Sequence, residues 1–142
     1  MLRNVPRIIA PELMKIMMDM GHSDTLILAD ANFPAASCAR RLIRLDGVEV
    51  TDLLDAILQF YPLDNFVPHP VTLMQPKSDE PTPEIWDSFK NIIEKRDEEK
   101  AFTGFTQIER MPFYTAAKEA YAIVQTTTTA RYANIMLQKG VL

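Results

Sequence analysis

Residues 10–35 read APELMKIMMDMGHSDTLILADANFPA, and this stretch decides the fold. Leu13, Ile16, Met17 and Met20 recur at the i, i+3, i+4, i+7 spacing of one helix face. Pro11 suits the first helical position, Glu12 suits the positive end of the dipole, and Gly21 suits the C′ position. The spacing therefore predicts a helix over Pro11–Met20. Thr25–Ala29, TLILA, is short, apolar and partly β-branched, which predicts a buried strand, most readily a parallel one. An amphipathic helix joined by a tight turn to a buried strand is the unit of an α/β fold. The turn carries His22, and Asp30 follows the strand directly.

The same alternation continues outward. NFPAAS reads as a loop anchored by Phe33 and Pro34, and Arg41–Leu45 as a short strand ending at the Asp46-Gly47 turn. Thr51 is positioned to cap a second helix carrying Leu53, Leu54, Ile57 and Leu58, which Pro62 ends. Val71–Gln75 forms a second apolar strand between prolines, followed by the polar loop KSDEPTP. Thr82 and Pro83 open a third helix with Ile85, Trp86, Phe89, Ile92 and Ile93 inward, running into the solvated charge run EKRDEEK. GFTQIER reads as strand. PFYTAAKEAYA reads as a helix with Phe113, Ala116, Ala117 and Ala120 on one face. AIVQT and ANIMLQ close the sheet as strands. Neither a repeat nor a break divides the 142 residues. The expectation is a single α/β domain, residues 1–142, with a mostly parallel sheet flanked by helices.

Composition narrows the function. A net charge of −4 and a pI near 5.1 argue against a nucleic-acid surface, which needs a basic stripe. The lone cysteine, Cys38, cannot form an internal disulfide, and no apolar run is long enough to span a membrane. The start MLRNVPRII lacks the features of a signal peptide. A cytoplasmic protein without nucleic-acid or membrane partners is the expectation.

Ligands of open α/β sheets bind beyond the carboxyl ends of the strands, where Asp30 stands. His22 follows a helix C-terminus, which favours the imidazolium form. An imidazole facing a carboxylate makes a general acid–base pair. Each is also a common helix cap, and the residues alone leave both readings open. Arg110 and Tyr114, at i and i+4, and Tyr132 and Asn134, two apart in a segment read as extended, are donors and acceptors suited to hydroxyl-rich ligands. Pro112 favours a strand-to-helix corner at Arg110. The chain lacks G-x-G-x-x-G, a P-loop, H-E-x-x-H and a nucleophile elbow. Cys38 with two scattered histidines makes a poor metal site, and none is expected.

Three segments together carry a resemblance: residues 10–35 quoted above, PLD at Pro62–Asp64, and IERMPFYTAAKEAYAIVQTTTTARYANIMLQKGVL over residues 108–142. In this order and spacing they resemble the fucose mutarotase and ribose pyranase family of sugar-ring isomerases, its fucose branch more closely. The resemblance covers nearly the whole chain. It implies a cofactor-free isomerase that interconverts the anomers of L-fucose or a related reducing sugar. It also implies an α/β subunit that assembles into rings, commonly decamers in bacteria, with sites near subunit boundaries. By motif position His22 matches the family's catalytic histidine, and Tyr114 is a candidate second proton relay. Asp30, Asp64, Arg110, Tyr132 and Asn134 match sugar-site positions, with Ala133 inside the ligand-binding tripeptide. On this reading Asp30 orients His22 or accepts from a sugar hydroxyl. Three departures stand out: Ser23 and Thr127–Thr129 differ from the family pattern, and Ala133 replaces a usual glycine. That last change adds a methyl and removes easy access to positive φ. Pyranose–furanose interconversion of ribose and non-catalytic monosaccharide binding or transport support are the alternatives.

Overall fold

The computed structural model describes residues 1–142. Helices α1 (Pro11–Asp19), α2 (Ala35–Cys38), α3 (Val50–Ile57), α4 (Ile85–Arg96) and α5 (Arg110–Glu119) are interleaved with six strands. These are β1 (Thr25–Ala29), β2 (Leu42–Arg44), β3 (Val71–Met74), β4 (Thr106–Ile108), β5 (Ala122–Gln125) and β6 (Ile135–Gln138). They form one sheet in the order β2-β5-β1-β6-β3-β4. The pairs β2–β5, β1–β5 and β3–β4 are parallel, and β6 runs antiparallel between β1 and β3. The sheet is mostly parallel, as expected, with one strand reversed. The reversal follows from the connection. Residues 126–134 return to the sheet without a crossover helix, and a parallel strand needs such a crossover.

Successive strand residues point to opposite faces. Leu26 and Leu28 of β1 join a large core with Leu13, Ile16 and Met17 of α1, Leu53, Leu54 and Ile57 of α3, and Phe89 and Ile93 of α4. Ile27 and Ala29 join a smaller core with Phe33, Phe113 and Ala117 on the α2–α5 face. The alanines Ala116, Ala117 and Ala120 let α5 lie close to the sheet. Burial of side chains such as these is worth about 1.5–3 kcal/mol each for the larger ones, and two such faces hold the strand ends in register.

Four local expectations are corrected. Residues Ala35–Cys38 after Pro34 form the short helix α2 rather than loop. Thr51 does not cap α3; the helix begins at Val50, whose N–H donates to Thr128 Oγ1 at 2.7 Å. Gly21 occupies C′ of α1, but the left-handed residue of that turn is Ser23, with φ 70°. Helix α5 begins at Arg110, not beyond a corner, because Pro112 falls in the first turn, where a missing N–H costs nothing.

Candidate active site

Strands β1, β3, β4 and β5 all end at one edge of the sheet, and β6 begins there. Asp30, the residue after β1, is 6% exposed, and Asn134, the residue before β6, is 4% exposed. The Asn134 amide donates from Nδ2 to Asp30 Oδ2 at 2.8 Å, and the Asp30 N–H donates to Asn134 Oδ1 at 2.9 Å. The Asn32 N–H donates to Asp30 Oδ1 at 2.9 Å. Burial pushes the Asp30 carboxyl above its ordinary value, against these hydrogen bonds, which favour the charged form.

Above this pair lies a cavity of about 210 Å³ lined by Asp30, Phe33, Met74, Arg110, Tyr114, Tyr132 and Asn134, among others. That is smaller than the roughly 300–1,000 Å³ of pockets for drug-sized ligands, a scale fitting a monosaccharide. Arg110 and Tyr114 reach it from successive turns of α5, and the Tyr114 ring stands edge-on to Phe33, centroids 5.5 Å apart. A hollow of about 540 Å³ lies beside it, sharing Arg131 and Tyr132. The rest of its wall comes mainly from the 80–88 segment rather than from strand ends.

The opposite edge holds a second polar cluster. His22 Nε2 lies 3.1 Å from Asp64 Oδ2. Asp64 is fully buried, and its carboxylate also accepts from the Phe66 N–H at 2.9 Å and from Gln138 Nε2 at 3.0 Å. Burial pushes its carboxyl up, but the Phe66 N–H, His22 and Gln138 together outweigh that and hold it below the ordinary value. An ionised carboxylate only accepts, so Nε2 carries the proton between His22 and Asp64. The Phe66 ring tilts over the imidazole, centroids 5.4 Å apart, and the His22 side chain remains 43% exposed.

The structure therefore divides the residues singled out from sequence. Asp30, Arg110, Tyr114, Tyr132 and Asn134 share one pocket, while His22 and Asp64 sit at the other edge. The five residues of β1, at about 3.3 Å each, put about 16 Å between His22 and Asp30. Within one chain Asp30 is too far away to orient His22; Asp64 does so. Tyr132 and Asn134 do reach one pocket, but not through an extended segment, because Tyr132 is left-handed at φ 56°. Ala133 does not line the pocket; its methyl is buried in the main core, and its φ is not positive, so alanine fits there. Met74 and Glu80 contribute to this region without having been singled out. In the sequence Met74 carries only a strand pattern, and Glu80 lies in a polar Pro-rich loop. No three His, Cys, Asp or Glu side chains converge as a metal-holding set, and no helix is long and apolar enough to cross a membrane.

Comparison with known proteins bears on the chain as a whole. The model of a family described as the RbsD / FucU transport protein family matches residues 3–142. Human fucose mutarotase is 40% identical over 149 aligned positions, covering 99% of this chain and 94% of that protein. The L-fucose mutarotase of Haemophilus influenzae (strain 86-028NP) is 39% identical, covering 99% of this chain and 97% of that protein. The crystal structure of the fucose mutarotase from Streptococcus pneumoniae in complex with L-fucose superposes with a TM-score of 0.93 at 45% identity, covering 99% of each chain.

Proposed function

The chain belongs to the RbsD / FucU transport protein family, and from that premise we propose that it interconverts the α and β anomers of L-fucose. The observation that carries this reading is the strand-end pocket of Asp30, Arg110, Tyr114, Tyr132 and Asn134 on a chain 45% identical to a mutarotase holding L-fucose.

The reaction asks little of a protein beyond position. The anomeric hydroxyl gives up its proton, the C1–O5 bond breaks, and the ring oxygen takes a proton, leaving an open-chain aldehyde. Rotation about C1–C2 presents the other face of the carbonyl, and the O5 hydroxyl adds back with the proton transfers reversed. Two groups able to exchange protons are enough, and one positioned acid or base contributes about 10²–10⁴-fold. His22, held through Nε2 by Asp64, exchanges one proton at Nδ1. Tyr114 is the second relay, facing the pocket from α5. Asp30, fixed by Asn134, accepts from a sugar hydroxyl, and Arg110 and Tyr132 grip the remaining hydroxyls.

One subunit cannot present His22 to a sugar bound beside Asp30, since β1 separates them. The site is completed when the His22 edge of one subunit meets the pocket edge of the next. Such a heterologous contact closes into a ring when the rotation allows, and the ring is a decamer. The enzyme works in the cytoplasm, where Cys38 stays reduced.

Magnetisation-exchange NMR on a panel of reducing sugars tests the proposal. Faster α–β exchange for L-fucose than in buffer is the expected result. Binding without faster exchange would leave a sugar-binding protein, and ring-form exchange confined to D-ribose would leave a pyranase.

A further inference from the structure

We propose that Glu80 is a positioning residue for Tyr132, accepting the hydrogen bond of the phenol's one proton so that Tyr132 meets the sugar as a hydrogen-bond acceptor. The inference rests on the reading of the strand-end pocket as a monosaccharide site. Glu80 comes from the loop between β3 and α4, and both of its carboxylate oxygens are engaged. Tyr132 Oη donates to Oε2, and Arg131 Nη2 donates to Oε1. The Glu80 side chain is 18% exposed, against 75% for Arg131, so the carboxylate is tucked beneath its partners.

Tyr132 is pinned at its other end as well. Its backbone is left-handed, which is uncommon for an aromatic residue, and its carbonyl accepts from Trp86 Nε1 at 3.1 Å. The α4 indole thus fixes the backbone, and the loop carboxylate the hydroxyl, of one residue that lines the pocket. A phenol has one proton and two lone pairs. With the proton directed to Glu80 and one lone pair turned to the Lys77 N–H at 3.4 Å, a single lone pair remains for a ligand. The hydrogen bond to Glu80 raises the Tyr132 pKa, while the same bond lowers that of Glu80. Both shifts keep the proton on the phenol at neutral pH. The partner of Tyr132 must then be a sugar hydroxyl that donates.

The test is a double-mutant cycle read by calorimetric titration with L-fucose and by anomer-exchange kinetics. It uses the full chain and Glu80→Ala, Glu80→Gln, Tyr132→Phe and Glu80→Ala/Tyr132→Phe. Glu80→Ala should weaken fucose binding about 5–30-fold, the scale of one lost or misdirected hydrogen bond. The exchange rate at saturation should stay within about two-fold, because proton transfer lies elsewhere. Glu80→Gln, which keeps an oxygen to accept the phenol proton, should bind within about three-fold of the parent. The double variant should bind no more weakly than Tyr132→Phe alone, because Glu80 acts through the hydroxyl. Parental binding by Glu80→Ala, or losses that simply add in the double variant, would overturn the inference. Titration reads the cycle whether or not exchange is accelerated. A parent protein that binds L-fucose without speeding exchange would refute the proposed reaction and leave the Glu80 result standing. A parent that does not bind L-fucose would overturn both.

Discussion

Asp30 and Asn134, 104 residues apart in sequence, clasp each other through two hydrogen bonds of 2.8 and 2.9 Å across the junction of β1 and β6. The clasp makes Asn134 a support for Asp30 in addition to the sugar-binding role proposed for it. Asn134→Ala should therefore cost about 1–3 kcal/mol of stability, since it strands the Asp30 N–H and one carboxylate oxygen in a buried setting. It should also weaken L-fucose binding while sparing the saturated exchange rate. Denaturant unfolding and fucose titration of the same variant check both halves. An unchanged midpoint would mean that the clasp is not supporting Asp30.

Asp64 sets an acid-side dependence. Its folded-state pKa lies below the ordinary value of about 3.8, so the unfolded chain binds more protons between those two values. Its contribution to stability is complete above the unfolded pKa and is lost as pH falls through the folded one. Asp64→Asn removes this titration. Melting temperatures measured from pH 7 down to about pH 3 should fall more steeply in the parent than in the variant across that window. Parallel acid limbs would count against the paired carboxylate.

Gly140 explains one feature of the C-terminal motif. A Cβ built there would lie 2.5 Å from the Leu63 carbonyl oxygen and 2.9 Å from Asp64 Cα, both backbone atoms. Gly140→Ala must push the 63–64 segment away and move the carboxylate that holds His22. A loss of about 1–3 kcal/mol is expected from the forced contact, together with slower anomer exchange. Unfolding curves and exchange rates of Gly140→Ala against Gly47→Ala make the comparison. Gly47 has open space around it, so only its positive φ is at stake there. Equal exchange rates would refute the link from Gly140 to His22.

These residues also show what the sequence can and cannot carry. Helix α1 and strand β1 are legible because their apolar spacing is local: TLILA spans the strand residue for residue. The direction of β6 is not, since IMLQ is the same pattern whichever way it runs. The pairing of Arg110 with Tyr114 could be read from i, i+4 spacing once Pro112 is allowed in a first turn. The pairing of His22 with Asp64 spans 42 residues and leaves no local trace. Asp30 is nearer to His22 in sequence, yet it is Asp64 that bonds the imidazole. Glu80 is hidden differently, in a Pro-rich polar loop, and its carboxylate's partners, Arg131 and Tyr132, lie about fifty residues away.

The separation of His22 from the pocket predicts complementation between inactive variants. His22→Gln spoils one edge of every subunit, and Arg110→Ala spoils the other. Co-refolding them in equal amounts should restore about one quarter of the parental exchange rate, the share of contacts that join two intact edges at random. Light scattering on the mixture checks that rings form. No recovery in mixed rings would mean that both edges serve one subunit's own site.

The most direct test of the account is the rate of magnetisation exchange between the anomeric protons of α- and β-L-fucose, measured at saturating sugar with the parent protein and with folded His22→Gln. The account predicts clear acceleration over buffer by the parent and a loss of most of it, about 10²-fold or more, in His22→Gln. An unaccelerated parent that nevertheless binds L-fucose, or a His22→Gln variant as fast as the parent, would contradict it.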